Sequence, residues 1–286
     1  MRIQPKKSLG QNFLIDQNIR KKITASLDLS PDDIILEIGA GSGEMTVSLA
    51  PHAGKVFALE LDPRLYSVLK GSFAGYAKIR LIQGDILKLD LNELLRDHRI
   101  EGKVKVFGNI PYYISSPIIE HLLNFRERIS RAFLMVQKEF AARVAAEPGS
   151  KDYGSFSCFV QYYASPQVLF HISRHCFKPA PKVDSSFLEL EIREAPAVKV
   201  RDEELFFKII RAAFNQRRKT LRNSLSELVP EQILKDFFAK TGLDYRTRPE
   251  RLKLENFALL ADLASIRDCA RVAPWQDPLE INKPAA

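Results

Sequence analysis

The segment IILEIGAGSG, residues 34–43, joins a short apolar run to three closely spaced glycines. An apolar run, a glycine turn and a helical pattern from Glu44 to Ala50 are typical of the first strand, loop and helix of a nucleotide-binding unit. The spacing is Gly-x-Gly-x-Gly after an acid, which differs from the Gly-x-Gly-x-x-Gly of dinucleotide dehydrogenases. The segment predicts a parallel α/β fold and favours a ligand with an amino-acid end. An ordinary glycine turn is the alternative.

Four apolar runs in the first 110 residues are each followed by a glycine or a polar residue. These residues are Gly39, Glu60, Asp85 and Asn109, at intervals of 21, 25 and 24 residues. This interval is about the length of one strand–helix repeat, and open parallel sheets bind ligands beyond the carboxyl ends of their strands. We therefore expect the four residues to converge on one crevice.

The acids at these strand ends have both binding and structural interpretations. Glu60, about 20 residues after the glycine loop, is suited to accept hydrogen bonds from two ribose hydroxyls. Asp62 precedes Pro63 and is predicted to cap a helix. Asp85 is suited to accept from an adenine amino group while Ile86 packs on the ring. The alternative for Asp85 is an aspartate in a turn.

The segment NIPY, residues 109–112, follows the apolar run 104–107 and carries the groups needed to hold an aromatic amine. The Asn109 side-chain carbonyl accepts an N–H, Pro111 stiffens the backbone, and the Tyr112 ring offers a face for stacking a base. An ordinary proline turn with a half-buried tyrosine is the alternative.

Prolines and lysines surround a second aromatic residue, Phe177, in the segment FKPAPKVDS, residues 177–185. Prolines restrict the backbone, so the segment predicts a rigid loop that presents an exposed Phe177 ring to a base. A simple linker is the alternative. The alternation over residues 187–192 predicts a final strand.

Composition limits the class of protein. The chain has 286 residues, a formal net charge of +8 and a pI near 9.3, which suit a polyanionic partner. Three cysteines without a Cys-x-x-Cys spacing argue against a disulfide framework and a zinc site. The N-terminus lacks an apolar signal core, and no apolar stretch is long enough to span a membrane. We expect a cytoplasmic protein without a metal site.

The composition changes near residue 195, which predicts a domain over residues 1–195 and a helical domain over residues 196–286. Residues 205–226 contain six basic residues and no acidic one, and one helix face is expected to carry Arg211, Asn215, Arg218 and Arg222. This pattern predicts a phosphate-contacting surface, although a solvated face is the usual explanation of such a stripe. The last ten residues are expected to be disordered.

Eight segments, in order, give the chain a specific resemblance to a known family. It resembles the ribosomal small-subunit (16S-type) RNA adenine N6,N6-dimethyltransferases, which are related to the macrolide-resistance methylases of large-subunit RNA. The segments are PKKSLGQNFL, EIGAGSG, ALELD, GDIL, NIPYYISSPII, MVQKEFAARV, FKPAPKVDS and FNQRRKTLRNSL. The resemblance extends from Lys6 to about Asp262.

The resemblance implies a Rossmann-like class I methyltransferase sheet of seven mostly parallel strands and a small helical C-terminal domain. It implies S-adenosylmethionine as the cofactor and S-adenosylhomocysteine as the product. By matching position, the implied cofactor-binding residues are Gln11, Asn12, Leu14, Gly39, Gly41, Glu60, Leu61, Asp85, Ile86 and Asn109. Those that hold the target adenine are Asn109, Pro111, Tyr112 and Phe177. RNA binding is expected from Arg211, Arg217, Arg218, Lys219 and Arg222.

The implied reaction converts two adjacent adenines in the terminal hairpin loop of 16S rRNA to N6,N6-dimethyladenine. The expected substrate is an assembling 30S subunit, and the protein is expected to act as a monomer away from membranes and to contribute to subunit biogenesis. Three other classes of protein remain open: a DNA adenine methylase, a large-subunit resistance methylase, and a ribosome-assembly factor without chemistry. A dinucleotide dehydrogenase is disfavoured by the glycine spacing.

Overall fold

The computed structural model describes residues 5–6, 9–216 and 218–269, with the side chains of all but 266–269. Contacts divide the chain into two compact units, one of residues 1–146 and 159–197 and one of residues 147–158 and 198–286. The sequence predicted a single boundary at residue 195. The segment 147–158 belongs to the second unit because Gly149 N–H donates to the Glu250 carbonyl at 2.6 Å and the Tyr153 and Phe214 rings lie 5.9 Å apart.

A mixed sheet forms the centre of the first unit. In chain order the strands are β1 (Phe13–Leu14), β2 (Ile34–Ile38), β3 (Lys55–Glu60), β4 (Ile79–Gln83), β5 (Val104–Asn109), β6 (Ile129–Gln137), β7 (Ala164–Ile172), β8 (Phe177–Lys178) and β9 (Ser185–Ile192). Within the described residues, seven of them form one sheet in the order β4-β3-β2-β5-β6-β9-β7, while β1 pairs with β8. In this sheet β9 runs opposite to the other six strands, so its pairs with β6 and β7 are antiparallel and the remaining pairs are parallel. The predicted seven-stranded, mostly parallel sheet is confirmed.

Helices connect these strands and build the second unit. Up to residue 163 they are α1 (Gln17–Ser26), α2 (Glu44–Leu49), α3 (Pro63–Ser72), α4 (Leu91–Asp97), α5 (Ser115–Asn124), α6 (Lys138–Val144) and α7 (Ser155–Tyr163). The later helices are α8 (Glu203–Phe214), α9 (Leu221–Leu225), α10 (Glu231–Thr241) and α11 (Leu254–Cys269). Four of these helices start after an aspartate whose side chain accepts a backbone N–H of the first turn: Asp16 for α1, Asp62 for α3, Asp90 for α4 and Asp202 for α8. The predicted cap at Asp62 is therefore confirmed.

Strand β2 lies in the middle of the sheet and is buried on both faces. Four consecutive residues, Ile35 to Ile38, are at most 4% exposed. Successive side chains of a strand point to opposite faces, so burial of all four requires packing on each face of the sheet. The continuous apolar run in the sequence has the same cause.

The basic run of the second unit does not form one helix. Helix α8 ends at Phe214, and α9 starts only after Thr220, whose side chain accepts the Asn223 N–H. The described residues between them, Asn215, Gln216, Arg218 and Lys219, are polar and exposed. A continued helix would therefore have no apolar face to bury. The prediction that Arg211, Asn215, Arg218 and Arg222 share one helix face was wrong. Arg217 and the last ten residues lie outside the described part of the chain.

Buried Glu37 is an unusual feature of β2. Its side chain is 1% exposed, and neither its Oε2 atom nor the Thr46 hydroxyl makes a hydrogen bond in the structure. Burial raises the pKa of Glu37 from 4.5 to about 8, although the nearby Thr46 hydroxyl acts in the opposite direction; the Glu60 carboxylate raises it further. Glu37 is therefore mostly protonated in the folded protein near neutral pH.

We predict that Glu37 makes the folded protein less stable as pH rises from about 4.5 to about 8. In that range the folded state retains a proton that the unfolded state has lost, so each pH unit costs at most about 1.4 kcal/mol. Glu37→Gln, which carries no titrating proton, should remove this slope. Urea unfolding of both proteins across the range measures it. Parallel profiles for the two proteins would contradict the prediction.

Candidate functional site

A pocket opens at the carboxyl ends of β2, β3, β4 and β5. Its lining includes the glycine loop, the three strand-end polar residues and residues 9–13 of the N-terminal segment. The structure thus brings together most of the residues predicted for the site: Gln11, Asn12, Gly39, Gly41, Glu60, Leu61, Asp85, Ile86, Asn109, Pro111 and Tyr112. Their chain positions differ by up to 101 residues. The parallel sheet aligns those that follow its strands, and the N-terminal segment adds Gln11 and Asn12 at the same edge.

The Glu60 carboxylate fixes the shape of two loops in this pocket. Its Oε2 atom accepts the Gly41 N–H at 2.7 Å, and its Oε1 atom accepts the Asp62 N–H at 2.8 Å. Glu60 is 4% exposed, and burial raises its pKa while these two donors act in the opposite direction. A carboxylate oxygen can accept more than one hydrogen bond, so both Glu60 oxygens keep capacity for a hydroxyl of a ligand.

Asp85 lies in the turn that follows β4, at the wall of the pocket. Its Oδ1 atom accepts the Leu87 N–H at 3.0 Å and so caps a short turn, and the residue also lines the pocket. Ile86 beside it is 7% exposed and contributes an apolar wall. Leu61 is 47% exposed at the pocket edge. An acceptor next to apolar side chains suits a flat heterocycle with an amino group.

Residues 9–14, here named the N-terminal strap, lie against the pocket. The Asn109 Nδ2 atom donates to the Asn12 carbonyl at 2.7 Å, and Gln11 Nε2 donates to Asp62 Oδ2 at 3.3 Å. Because the Asn109 amide nitrogen is held by Asn12, its Oδ1 atom remains available as an acceptor. Within the described residues that oxygen accepts no hydrogen bond.

Tyr112 and Pro111 are held by neighbouring groups in the structure. The Tyr112 hydroxyl and the Ser185 hydroxyl are 2.5 Å apart, and burial raises the Tyr112 pKa. The Pro111 carbonyl accepts the Ile114 N–H at 3.2 Å and the Ser115 hydroxyl at 3.4 Å. Two donors already occupy the Pro111 carbonyl, so Asn109 Oδ1 is the better acceptor for a bound amine.

Two predicted residues do not line the pocket. Leu14 is 6% and Phe177 is 3% exposed, and both belong to the hydrophobic core of the first unit. They are register partners in the β1–β8 pair. Alternation along β1 directs Phe13 towards the glycine loop and Leu14 into the core. The expectation of an exposed Phe177 ring was wrong because β1 covers it.

The strap contributes lining residues that sequence reasoning missed. These are Leu9, Gly10 and Phe13. Phe13 approaches the glycine loop closely, since a Cβ built on Gly41 would lie 3.2 Å from its ring. A two-residue strand has too little periodicity to show which of its side chains faces a ligand.

In the second unit, the predicted RNA-binding residues that are described are all exposed: Arg211, Arg218, Lys219 and Arg222. Arg222 donates to both carboxylate oxygens of Glu231, at 3.2 Å and 2.7 Å. The positive charge of Arg222 is therefore partly neutralised within the protein. Arg218 and Lys219 lie in the turn between α8 and α9.

The described residues offer neither a metal-binding cluster nor a membrane-spanning helix. In residues 5–6, 9–216 and 218–269, no group of three or more His, Cys, Asp or Glu side chains is arranged to hold a metal ion. None of the helices in this part of the chain combines the length and hydropathy needed to cross a bilayer.

Comparison with known families identifies the class of protein. The model of the ribosomal RNA adenine dimethylase family matches residues 2–265. The chain belongs to this family. Curated relatives named "Ribosomal RNA small subunit methyltransferase A" include one from Moorella thermoacetica, 45% identical over 90% of this chain and 91% of its own length. Another, from Clostridium perfringens, is 43% identical over 90% of this chain and 89% of its own.

Solved structures give the same class of fold. The 23S rRNA methyltransferase ErmE is 25% identical with a TM-score of 0.72, covering 89% of this chain and 100% of its own. A dimethyladenosine transferase from Plasmodium falciparum is 28% identical with a TM-score of 0.71, covering 87% of this chain and 95% of its own. The predicted Rossmann-like methyltransferase fold and the predicted enzyme class are confirmed.

We predict that Gly41→Ala destabilises the protein by about 1–2 kcal/mol. Gly41 has φ +59°, which costs an L-residue free energy, and the added Cβ would press on Phe13. Gly71→Ala in α3 is the matched control, because its added Cβ would meet nothing within 4 Å beyond the backbone of its own helix turn, and alanine favours a helix. Chemical unfolding measures both variants. Equal stability of the two variants would contradict the account of the glycine loop.

Proposed function

We propose that this chain transfers methyl groups from S-adenosylmethionine to N6 of two adjacent adenosines in the 3′-terminal hairpin loop of 16S rRNA. The product is N6,N6-dimethyladenosine at both positions. The observation that carries the proposal is the pocket at four strand ends, where an acidic ribose-type site and the Asn109 amide lie together. The small-subunit names of relatives at 43–45% identity favour this RNA over that of the large subunit.

The cofactor is proposed to lie along the carboxyl ends of β2 to β4. Gly39 and Gly41, both at positive φ, let the backbone approach its methionine end. Glu60 accepts its ribose hydroxyls, Asp85 accepts from its adenine amine, and Ile86 packs on the ring. When bound, the cofactor supplies an electrophilic methyl group on a sulfonium.

The target adenine is proposed to enter beside Asn109 and Tyr112. Asn109 Oδ1 accepts an N6 proton and sets the direction of the nitrogen lone pair, while the Tyr112 ring holds the base. The amine becomes acidic after methylation, and its proton leaves to water. Asn109 is therefore a positioning acceptor, not a general base. Phe177 takes part in base stacking only if β1 separates from β8.

Residues 1–195 are proposed to carry catalysis, and residues 196–286 to contact RNA through Arg211, Arg217, Arg218 and Lys219, with Arg222 partly neutralised by Glu231. The exposed basic turn after α8 and the net charge of +8 support phosphate contacts. We propose that the protein acts in the cytoplasm, as a monomer, on immature 30S subunits. A binding role in subunit assembly is compatible with the same surface.

The deciding experiment compares three substrates under identical conditions: undermethylated small subunits, naked 16S rRNA and large subunits. Methylated nucleosides are identified by mass spectrometry, and cofactor binding is measured by calorimetry. The proposal expects dimethyladenosine in small-subunit RNA and none in large subunits. Methylation of large subunits alone would overturn it in favour of a resistance methylase. Absence of both cofactor binding and methylation would favour an assembly factor without chemistry.

We predict that Asn109→Ala lowers the single-turnover rate on the order of 100-fold with little change in RNA affinity. The substitution removes the acceptor that positions N6, and the remaining product should be enriched in monomethyladenosine. Asn92→Ala in α4, an exposed asparagine, is the control and should behave as wild type. A wild-type rate with full dimethylation in Asn109→Ala would remove Asn109 from the mechanism.

We predict that the double variant Arg218→Ala, Lys219→Ala weakens binding to small subunits and flattens its salt dependence. Loss of two phosphate contacts lowers the slope of log K against log salt concentration by about 1.4–1.8. Lys235→Ala, Lys240→Ala removes the same charge from exposed positions of α10 and is the matched control. Cofactor affinity should stay constant in both. If both double variants give the same slope, the turn after α8 is a solvated surface.

A further inference from the structure

Tyr113 lies at the mouth of the pocket and is not needed for the mechanism above. It is 65% exposed, more than any other large apolar or aromatic side chain that the structure describes. Its neighbours Tyr112 and Ile114 both line the pocket, and all three residues form one short turn before α5. An aromatic ring is therefore held in solvent directly beside the place proposed for the target base.

The backbone of the strap supports this ring. Gly10 has φ +63°, and a Cβ built on it would lie 3.3 Å from Tyr113 Cε1 and 3.3 Å from Pro111 Cβ. The ring thus rests against strap backbone where a side chain has no room. Within the described residues, no other aromatic ring and no cation stacks on Tyr113. The ring is positioned on one side and open on the other.

The chemistry of the proposed substrate gives this open ring a partner. An adenine that enters the pocket must leave its stack, which exposes one face of the neighbouring base. We infer that Tyr113 stacks on the nucleobase adjacent to the adenine being methylated. This inference rests on the proposed function, in which the neighbour is itself an adenine, a purine with a large stacking face. Tyr113 would then exchange partners as the two adenines take turns in the pocket.

Tyr113 is not the only exposed tyrosine among the described residues, but its position at the mouth of the pocket distinguishes it from Tyr76. Tyr76 is 43% exposed, but it precedes β4 at the amino ends of the strands, and its ring packs edge-on against Phe73. It is therefore on the opposite edge of the sheet from the pocket. Tyr76 is a matched control because it is an exposed aromatic residue of the same unit.

The test combines protein variants with altered substrates. Two altered small subunits are reconstituted with rRNA whose synthetic 3′ segment carries one target adenosine. One has an abasic site on the 5′ side of that adenosine, and the other has it on the 3′ side. Intact subunits are assayed in parallel with wild type, Tyr113→Ala, Tyr113→Phe and Tyr76→Ala. On intact subunits Tyr113→Ala should raise KM about 10-fold with little change in kcat, because stacking contributes equally to substrate and transition state. Tyr113→Phe and Tyr76→Ala should resemble wild type.

The abasic substrates separate stacking from a structural effect. If Tyr113 stacks on the neighbouring base, one of the two abasic substrates lacks the base that it contacts. On that substrate, Tyr113→Ala should have the same KM as wild type. A 10-fold loss that persists with both abasic substrates would overturn the inference, as would an unchanged KM on intact subunits. Wild-type methylation of intact small subunits is the internal check, since its absence would reject the proposed function itself.

Discussion

The Glu60 carboxylate makes the contacts on which the site depends. It accepts one N–H from the glycine loop after β2 and another from the turn before α3, so one buried group fixes both loops. Burying a carboxylate is costly unless its oxygens are hydrogen-bonded, and here each oxygen has a backbone donor. Glu60 also lines the pocket. On the proposed function, the group that shapes the two loops would also accept from a ligand, so a truncation such as Glu60→Ala would affect both at once.

Asp62 extends this arrangement to the N-terminal strap. It is fully buried, caps α3, pairs with Arg64 at 2.6 Å and accepts from Gln11 at 3.3 Å. Hydrogen bonding to Arg64 lowers the pKa of Asp62, so it stays ionised over the working range of the protein. An ionised acceptor binds a neutral amide donor more strongly than a neutral acceptor does. The strap is thus held at two adjacent residues, Gln11 by Asp62 and Asn12 by the amide of Asn109.

Sequence reasoning located the elements that depend on local pattern and strand period. Gly39, Glu60, Asp85 and Asn109 could be placed on one edge because each ends an apolar run, and a parallel sheet aligns such ends. Features set by pairing between distant parts of the chain could not be predicted from the sequence. Burial of Phe177 follows from pairing of β8 with β1, which is 163 residues earlier in the chain. The break after Phe214 follows from the absence of an apolar face over residues 215–219, which a count of charges does not reveal.

The strap is shared by the two halves of the proposed site. Gln11 and Phe13 lie on the side of Asp62 and Gly41, where the cofactor is proposed to bind, while Asn12 and Gly10 lie on the side of Asn109 and Tyr113. Moving the strap away from the cofactor side would release the Asn109 amide and remove the support behind Tyr113. On the proposed function, one position of the strap would therefore serve both the cofactor and the base. Two ligands that each favour the same closed strap bind with positive coupling, because the first to bind has already ordered it.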